Sequence, residues 1–315
     1  MKPGVLNVAQ LPNDLTRQLH DHFTVHDLGP DPDPVRLREV APGLRAMVAN
    51  GESVVRKALI EQLPDLELIA VFGVGYDGVD VAAAHARGVR VTHTPGVLTD
   101  DVADLAMALL LATARQVCRA DRFVREGGWR GGLYPFTRKV SGARLGIIGL
   151  GRIGQAIARR AEGFGMTIAY HSRRPHPDVP YRYVESVLEL AASVDVLVVC
   201  VPGGEGTRHL VNAEVLAALG PEGILINIGR GSVVDETALA AALRDGVLLG
   251  AGLDVFEHEP EVLPALLECD NAVLTPHMAS GTASTRLAMG DLVVANLRAF
   301  FAGDALISPV PDARD

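Results

Sequence analysis

Short apolar runs alternate along the chain with stretches whose apolar positions recur at helical spacing. Val5 to Ala9, Thr24 to Leu28, Ala46 to Ala49, Leu66 to Val71 and Val89 to Thr92 read as strands, punctuated by turn pairs such as Gly29-Pro30 and Pro42-Gly43. Asp100 to Glu126 then reads as one long helix, with Thr99 as its N-cap, Asp100 and Asp101 in the first turn and Gly127-Gly128 ending it. A second series of strands follows: Leu145 to Gly149, Thr167 to His171, Val196 to Cys200, Ile224 to Ile228, Leu248 to Val255 and Ala272 to Thr275. A last helix, Ser284 to Phe301, stops at Gly303 and is long enough to return to the first series. The pattern predicts an α/β protein with two Rossmann-like or flavodoxin-like domains, each a doubly wound parallel sheet. One domain is discontinuous, residues 1–96 with 285–315, and the other is residues 97–284, with hinges near Pro95-Gly96 and Ser280-Gly281.

One strand end carries a specific signal. After Leu145 to Ile148 comes Gly149-Leu150-Gly151-Arg152-Ile153-Gly154, and helix-like Ile153 to Ala161 then leads into the next strand. In this context the first glycine permits a tight turn and the second lets the backbone reach a pyrophosphate. The third lets helix and strand pack closely while amide groups face the phosphates. That places Gly149, Gly151, Arg152, Ile153 and Gly154 at a dinucleotide. The next strand ends in Ser172-Arg173-Arg174, where an NAD site has a carboxylate for the ribose 2′-hydroxyl. A hydroxyl and two guanidinium forks suit a 2′-phosphate, so NADPH/NADP is expected over NADH.

Size and composition fit this picture. A chain of 315 residues exceeds one ordinary hydrophobic core, and 48% hydrophobic residues with 33 glycines suit a turn-rich α/β protein. A net charge of −9 argues against nucleic acid or an anionic membrane as the main partner, which makes the Arg173-Arg174 pair stand out. Cys118, Cys200 and Cys269 lack metal-ligand spacing and read as reduced thiols, and no metal is expected. Met1-Lys2-Pro3-Gly4 leads directly into a strand, without the pattern of a secretion signal, and no apolar run reaches membrane-spanning length; a cytoplasmic enzyme is the expectation.

In an open parallel sheet, ligands bind beyond the carboxyl ends of the strands. Three successive predicted strands release Gly229-Arg230-Gly231, Glu257-His258-Glu259-Pro260 and Pro276-His277. Arg230 can hold a substrate carboxylate bidentately and polarise an adjacent carbonyl. His277 can exchange a proton with that oxygen, and Glu259 beside it would favour the charged imidazole. Together they describe reversible reduction of a 2-oxo acid. His258, between Glu257 and Glu259, is the rival histidine.

These residues resemble the D-isomer-specific 2-hydroxyacid dehydrogenases, especially the glyoxylate/hydroxypyruvate and hydroxyphenylpyruvate reductase branch. The likeness spans nearly the whole chain. It rests on Val74-Gly75-Tyr76-Asp77 with Val79-Asp80, on residues 94–104, on the fingerprint at 149–154, on Ile226 to Gly231, on Gly252 to Phe256 and on Pro276-His277. The resemblance implies that residues 1–96 and 285–315 form the substrate-binding domain and 97–284 the dinucleotide-binding domain. It makes Arg230 the substrate-binding residue and Glu259 with His277 the acid/base pair, and it puts the backbone amides of Val74 and Gly75 on the substrate carboxylate. Thr99, Val201, Pro202, Thr207, Ile228, Arg230, Asp254 and His277 are implied near the cofactor. A homodimer is implied too, formed around the long helix, with Trp129 and Tyr134 as core, pocket or interface residues. The same fold also serves formate or phosphite oxidation and dinucleotide-sensing co-repressors. A formate site would be expected to pair its histidine with Gln instead of Glu, whereas phosphite oxidation shares the Arg, Glu and His set.

Overall fold

A computed structural model describes residues 2–311. Its contacts divide the chain into two units, one containing residues up to Leu98 and from Ser280 onward, the other Thr99–Ala279.

The first unit carries β1 (Gly4–Asn7), α1 (Asn13–His22), β2 (Thr24–Asp27), α2 (Pro34–Val40), β3 (Ala46–Asn50), α3 (Lys57–Glu61), β4 (Leu68–Phe72), α4 (Val81–Ala86) and β5 (Arg90–Thr92). The strands are all parallel, in the order β2-β1-β3-β4-β5. That is the flavodoxin-like order. Every residue of β4 is buried, as a strand covered on both faces requires. The last helix, Ala283–Ala302, packs on β4 and α1; the Thr282 hydroxyl caps its start and Gly303, in the left-handed region, ends it.

The second unit carries α5 (Thr99–Ala114), α6 (Val117–Arg125), β6 (Arg144–Ile148), α7 (Arg152–Glu162), β7 (Thr167–His171), β8 (Arg182–Tyr183), α8 (Val187–Ala192), β9 (Val196–Val199), α9 (Ala213–Leu219), β10 (Ile224–Asn227), α10 (Glu236–Arg244), β11 (Gly250–Leu253), α11 (Pro264–Leu267) and β12 (Ala272–Leu274). Its parallel strands run β12-β11-β10-β9-β6-β7-β8. The chain starts at β6 in the middle, builds outward through β7 and β8, then reverses through β9, so the order switches between β6 and β9. Such a switch point opens a crevice at the carboxyl ends of the strands.

Three expectations need correction. The helix expected over 100–126 is two helices, because the Ala114 carbonyl accepts a hydrogen bond from the Arg138 amide and Gln116 turns left-handed (φ 52°). Burial explains where it breaks: α5 buries eight residues and α6 none. Thr99 is the first residue of α5 and not a cap before it. Strand β8, two residues at the sheet edge, was not expected, and β11 is shorter than the apolar run around it.

Candidate active site

The glycine turn after β6 is built by steric necessity. Gly149 has φ 94°, and a Cβ on it would lie 2.7 Å from Cγ1 of Val201. A Cβ on Gly154 would lie 2.2 Å from the Gly149 carbonyl oxygen, so only glycine lets α7 sit this close to the strand. Gly151, by contrast, faces open space where α7 begins at Arg152. The result is a cradle before a helix N-terminus, and this geometry fits a dinucleotide pyrophosphate. Beneath the turn the Cys200 thiol donates to the Gly149 carbonyl at 2.8 Å. Burial pushes that thiol up to about 12, which keeps its proton in place. The sequence carried no sign of this support.

On one side of the cradle, β7 ends in the Ser172 turn. The Ser172 hydroxyl donates to the Arg174 carbonyl at 2.5 Å, and both guanidinium side chains are exposed. Tyr183 of β8 donates to the Ser172 carbonyl at 3.3 Å, so the unexpected edge strand steadies this turn. On the other side, the loop after β9 runs through Val201 and Pro202. Thr207 folds it back by donating to the Pro202 carbonyl at 2.8 Å. Ile228 is buried and Thr99 half-buried.

The three ionisable groups leave the adjacent strands β10, β11 and β12. At the end of β10, Asn227 accepts from the Gly229 amide at 3.1 Å and donates to the Arg230 carbonyl at 3.0 Å, which fixes the turn that carries Arg230. Gly231 is needed for space: a Cβ there would come within 1.9 Å of the Phe256 carbonyl carbon. In the loop after β11, Glu259 Oε1 accepts from the Phe256 amide at 2.8 Å, while Oε2 lies 2.6 Å from Nδ1 of His277. Burial alone would push the Glu259 carboxyl up. The hydrogen bond and charge of His277, the Phe256 amide and the charge of Arg230 outweigh it and hold the group below its ordinary value. Glu259 therefore stays ionised, within electrostatic reach of both partners.

His277 adopts φ 48°, uncommon for a residue with a side chain, and Asp254 holds it there. The Asp254 backbone carbonyl accepts from the His277 amide at 2.9 Å. Its fully buried carboxylate accepts from Thr275 Oγ1 at 2.7 Å and from the amides of Met278 and Ala279, each at 2.9 Å. Expected near the cofactor, Asp254 spends its carboxylate on bracing the loop that presents His277. His258 is exposed, whereas Glu257 and Glu259 on either side are half-buried.

Sequence reasoning missed a second carboxylate set beside Glu259. Glu236, buried at the start of α10, accepts from the Glu257 amide at 2.7 Å. Burial pushes the Glu236 carboxyl up, and the charges of Glu257 and Glu259 add to the rise.

In the first unit, the loop after β4 carries Val74 and Gly75, both half-buried. The Gly73 carbonyl accepts from the Thr94 amide at 2.8 Å, and Nδ1 of His93 lies 2.9 Å from the Val74 carbonyl. Tyr76 meets the His93 ring edge-on at 5.4 Å. These contacts fix the loop's backbone. Trp129 is exposed, and Tyr134 packs edge-on against Phe123 while donating to Gln116 Oε1 at 3.0 Å.

Comparison with known proteins agrees with the geometry. The family described as D-isomer specific 2-hydroxyacid dehydrogenase, NAD binding domain, matches residues 107–279. Hydroxyphenylpyruvate reductase of Plectranthus scutellarioides is 49% identical over 310 residues, 98% of each chain. Glyoxylate/hydroxypyruvate reductase A of Arabidopsis thaliana is 48% identical, again over 98% of each chain. Among solved structures, an NADPH-dependent glyoxylate/hydroxypyruvate reductase of Sinorhizobium meliloti in complex with NADP and malonate is 44% identical. It superposes with a TM-score of 0.92 over 98% of this chain and 97% of that one. The chain belongs to the D-isomer specific 2-hydroxyacid dehydrogenases, and is thus an oxidoreductase with an NAD-binding domain. Among the described residues no helix is long and apolar enough to cross a membrane.

Proposed function

We propose that this protein reduces a 2-oxo acid such as glyoxylate, hydroxypyruvate or an aryl-pyruvate to the D-2-hydroxy acid, with NADPH as the preferred cofactor. The observation that carries this reading is the 2.6 Å pair of Glu259 and His277, with the charge of Arg230 reaching the same carboxylate. Gly149, Gly151 and Gly154 with the start of α7 hold the pyrophosphate, Arg173 and Arg174 the 2′-phosphate, and Val201, Pro202, Thr207, Ile228 and Thr99 flank the rest. When bound, the reduced nicotinamide supplies hydride to the keto carbon. Arg230 clamps the substrate and polarises its carbonyl, while the amides of Val74 and Gly75 take its carboxylate. His277 delivers the proton to the carbonyl oxygen, and Glu259 orients the imidazole and balances its charge. The relatives' names and the NADP complex of the Sinorhizobium enzyme support the substrate class and the cofactor.

The test is initial rates with NADPH and with NADH on glyoxylate, hydroxypyruvate and hydroxyphenylpyruvate, with oxidation of phosphite and formate as comparison. A higher kcat/KM for any oxo acid with NADPH supports the reading; turnover confined to phosphite or formate, or a preference for NADH, refutes it.

The protein acts as a cytoplasmic homodimer in this reading. Val117 and Val124 of α6 and the following Trp129, Leu133 and Phe136 are all more than half exposed, an apolar strip of the kind that a second copy covers. Light scattering on the purified chain decides it: a monomeric mass at micromolar concentration would exclude the dimer.

A further inference from the structure

Glu257 has no part in the chemistry above, yet it is among the most constrained carboxylates of the second unit. Its side chain is 12% exposed, and one oxygen, Oε1, lies 3.0 Å from Nε2 of His209 and 2.6 Å from Nη2 of Arg208. Its amide donates to the buried Glu236. The two partners belong to the loop after β9, two residues or fewer beyond Thr207. His209 takes the left-handed conformation (φ 48°), and its amide donates to the Ser232 carbonyl at 2.8 Å. The other end of the same loop lies against the glycine turn, through Val201. Two residues after Glu257 stands Glu259, whose carboxylate closes the turn back on Phe256.

One carboxylate therefore joins two segments that reach the crevice from different strands. We propose that Glu257 is a positioning residue that ties the cofactor-flanking loop, through His209 and Arg208, to the turn that aims Glu259 at His277. This rests on the functional reading above, in which that loop flanks NADPH and that turn carries the acid/base pair. With the tie intact, a loop ordered by the cofactor also fixes the turn. With it cut, the loop loses its side-chain link to the turn and keeps the His209 amide on the Ser232 carbonyl, while the turn keeps the Glu236 and Phe256 contacts. Cofactor affinity and proton delivery then fall together.

A double-mutant cycle on the full chain tests this, using Glu257→Ala, His209→Ala, both together, and Glu257→Gln, which keeps an oxygen acceptor for His209. The first readout is the NADPH dissociation constant by calorimetry without oxo acid; the second is kcat on glyoxylate at saturating NADPH. Each alanine variant is expected to weaken NADPH at least about fivefold and lower kcat at least about fivefold, with the double variant no worse than the worse single. Glu257→Gln should recover most of both losses. Losses that multiply in the double variant, or a wild-type value for either readout in both singles, overturn the tie. A role confined to packing would lower the melting temperature and leave both readouts near wild type. Should an alanine variant fail to fold, Arg208→Gln on the half-exposed rim serves with the same readouts. A wild-type chain that binds NADPH but reduces no oxo acid would refute the functional reading, while the affinity arm would still decide the tie.

Discussion

Oε2 of Glu259 faces Nδ1 of His277 at 2.6 Å, while Oε1 of the same carboxylate is held at 2.8 Å by the Phe256 amide. The carboxylate is thus fixed at both oxygens, and it holds the imidazole by Nδ1. Changing His277→Ala should lower kcat by at least about a hundredfold, the scale of losing a general acid, with the NADPH dissociation constant unchanged. A rate near wild type would remove His277 from its role.

The exposed Arg173 and Arg174 are expected to act through charge and not through the fold. Replacing both with Ala should raise KM for NADPH by tenfold or more, about what two charge-assisted phosphate contacts contribute, and leave NADH kinetics within about twofold. Equal losses with both cofactors would refute the assignment.

Glu236 and Glu259 respond to pH with opposite sign. The Glu236 carboxyl is raised in the folded state, so its stabilisation is present below the ordinary glutamate range and is lost as pH rises through its folded value. The Glu259 carboxyl is lowered, so its contribution is present at neutral pH and lost only as pH falls through a value below that range. Glu236→Gln keeps an acceptor for the Glu257 amide and removes the buried charge. Its melting temperature relative to wild type should therefore climb between pH 4 and pH 8. A flat or falling difference would contradict the raised value.

Thiol labelling should separate the three cysteines. Cys118 is exposed, whereas Cys269 and Cys200 are half-buried with their thiols pushed up by burial, that of Cys200 to about 12. Mass spectrometry after a brief treatment of the native protein should find the label on Cys118, with Cys200 modified only after denaturation. Rapid native labelling of Cys200 would mean that the glycine turn opens readily.

What could be read beforehand was whatever local spacing encodes. The fingerprint at 149–154 declares itself because its glycines serve a turn and a helix start within six residues. Arg230, Glu259 and His277 could be found because each follows an apolar strand run directly. The break at Gln116 depends on the Arg138 amide reaching the Ala114 carbonyl, a tertiary contact that helical periodicity does not record. Strand β8 is too short to show alternation. That the Asp254 carboxylate accepts from the amides of Met278 and Ala279 is a contact between distant positions that the sequence does not display. The Glu236 contact joins positions far apart in sequence, with no pattern to announce it.

Strand β12, which delivers His277, is the outermost of its sheet; it pairs on one side with β11 and its residues are half-buried. Fraying starts at such margins, where few ladder bonds and little apolar area oppose it. On gentle heating the enzyme should fall silent while most of its circular dichroism persists, and regain activity on cooling. The strand that carries the proposed proton donor is then also the molecule's thermal fuse.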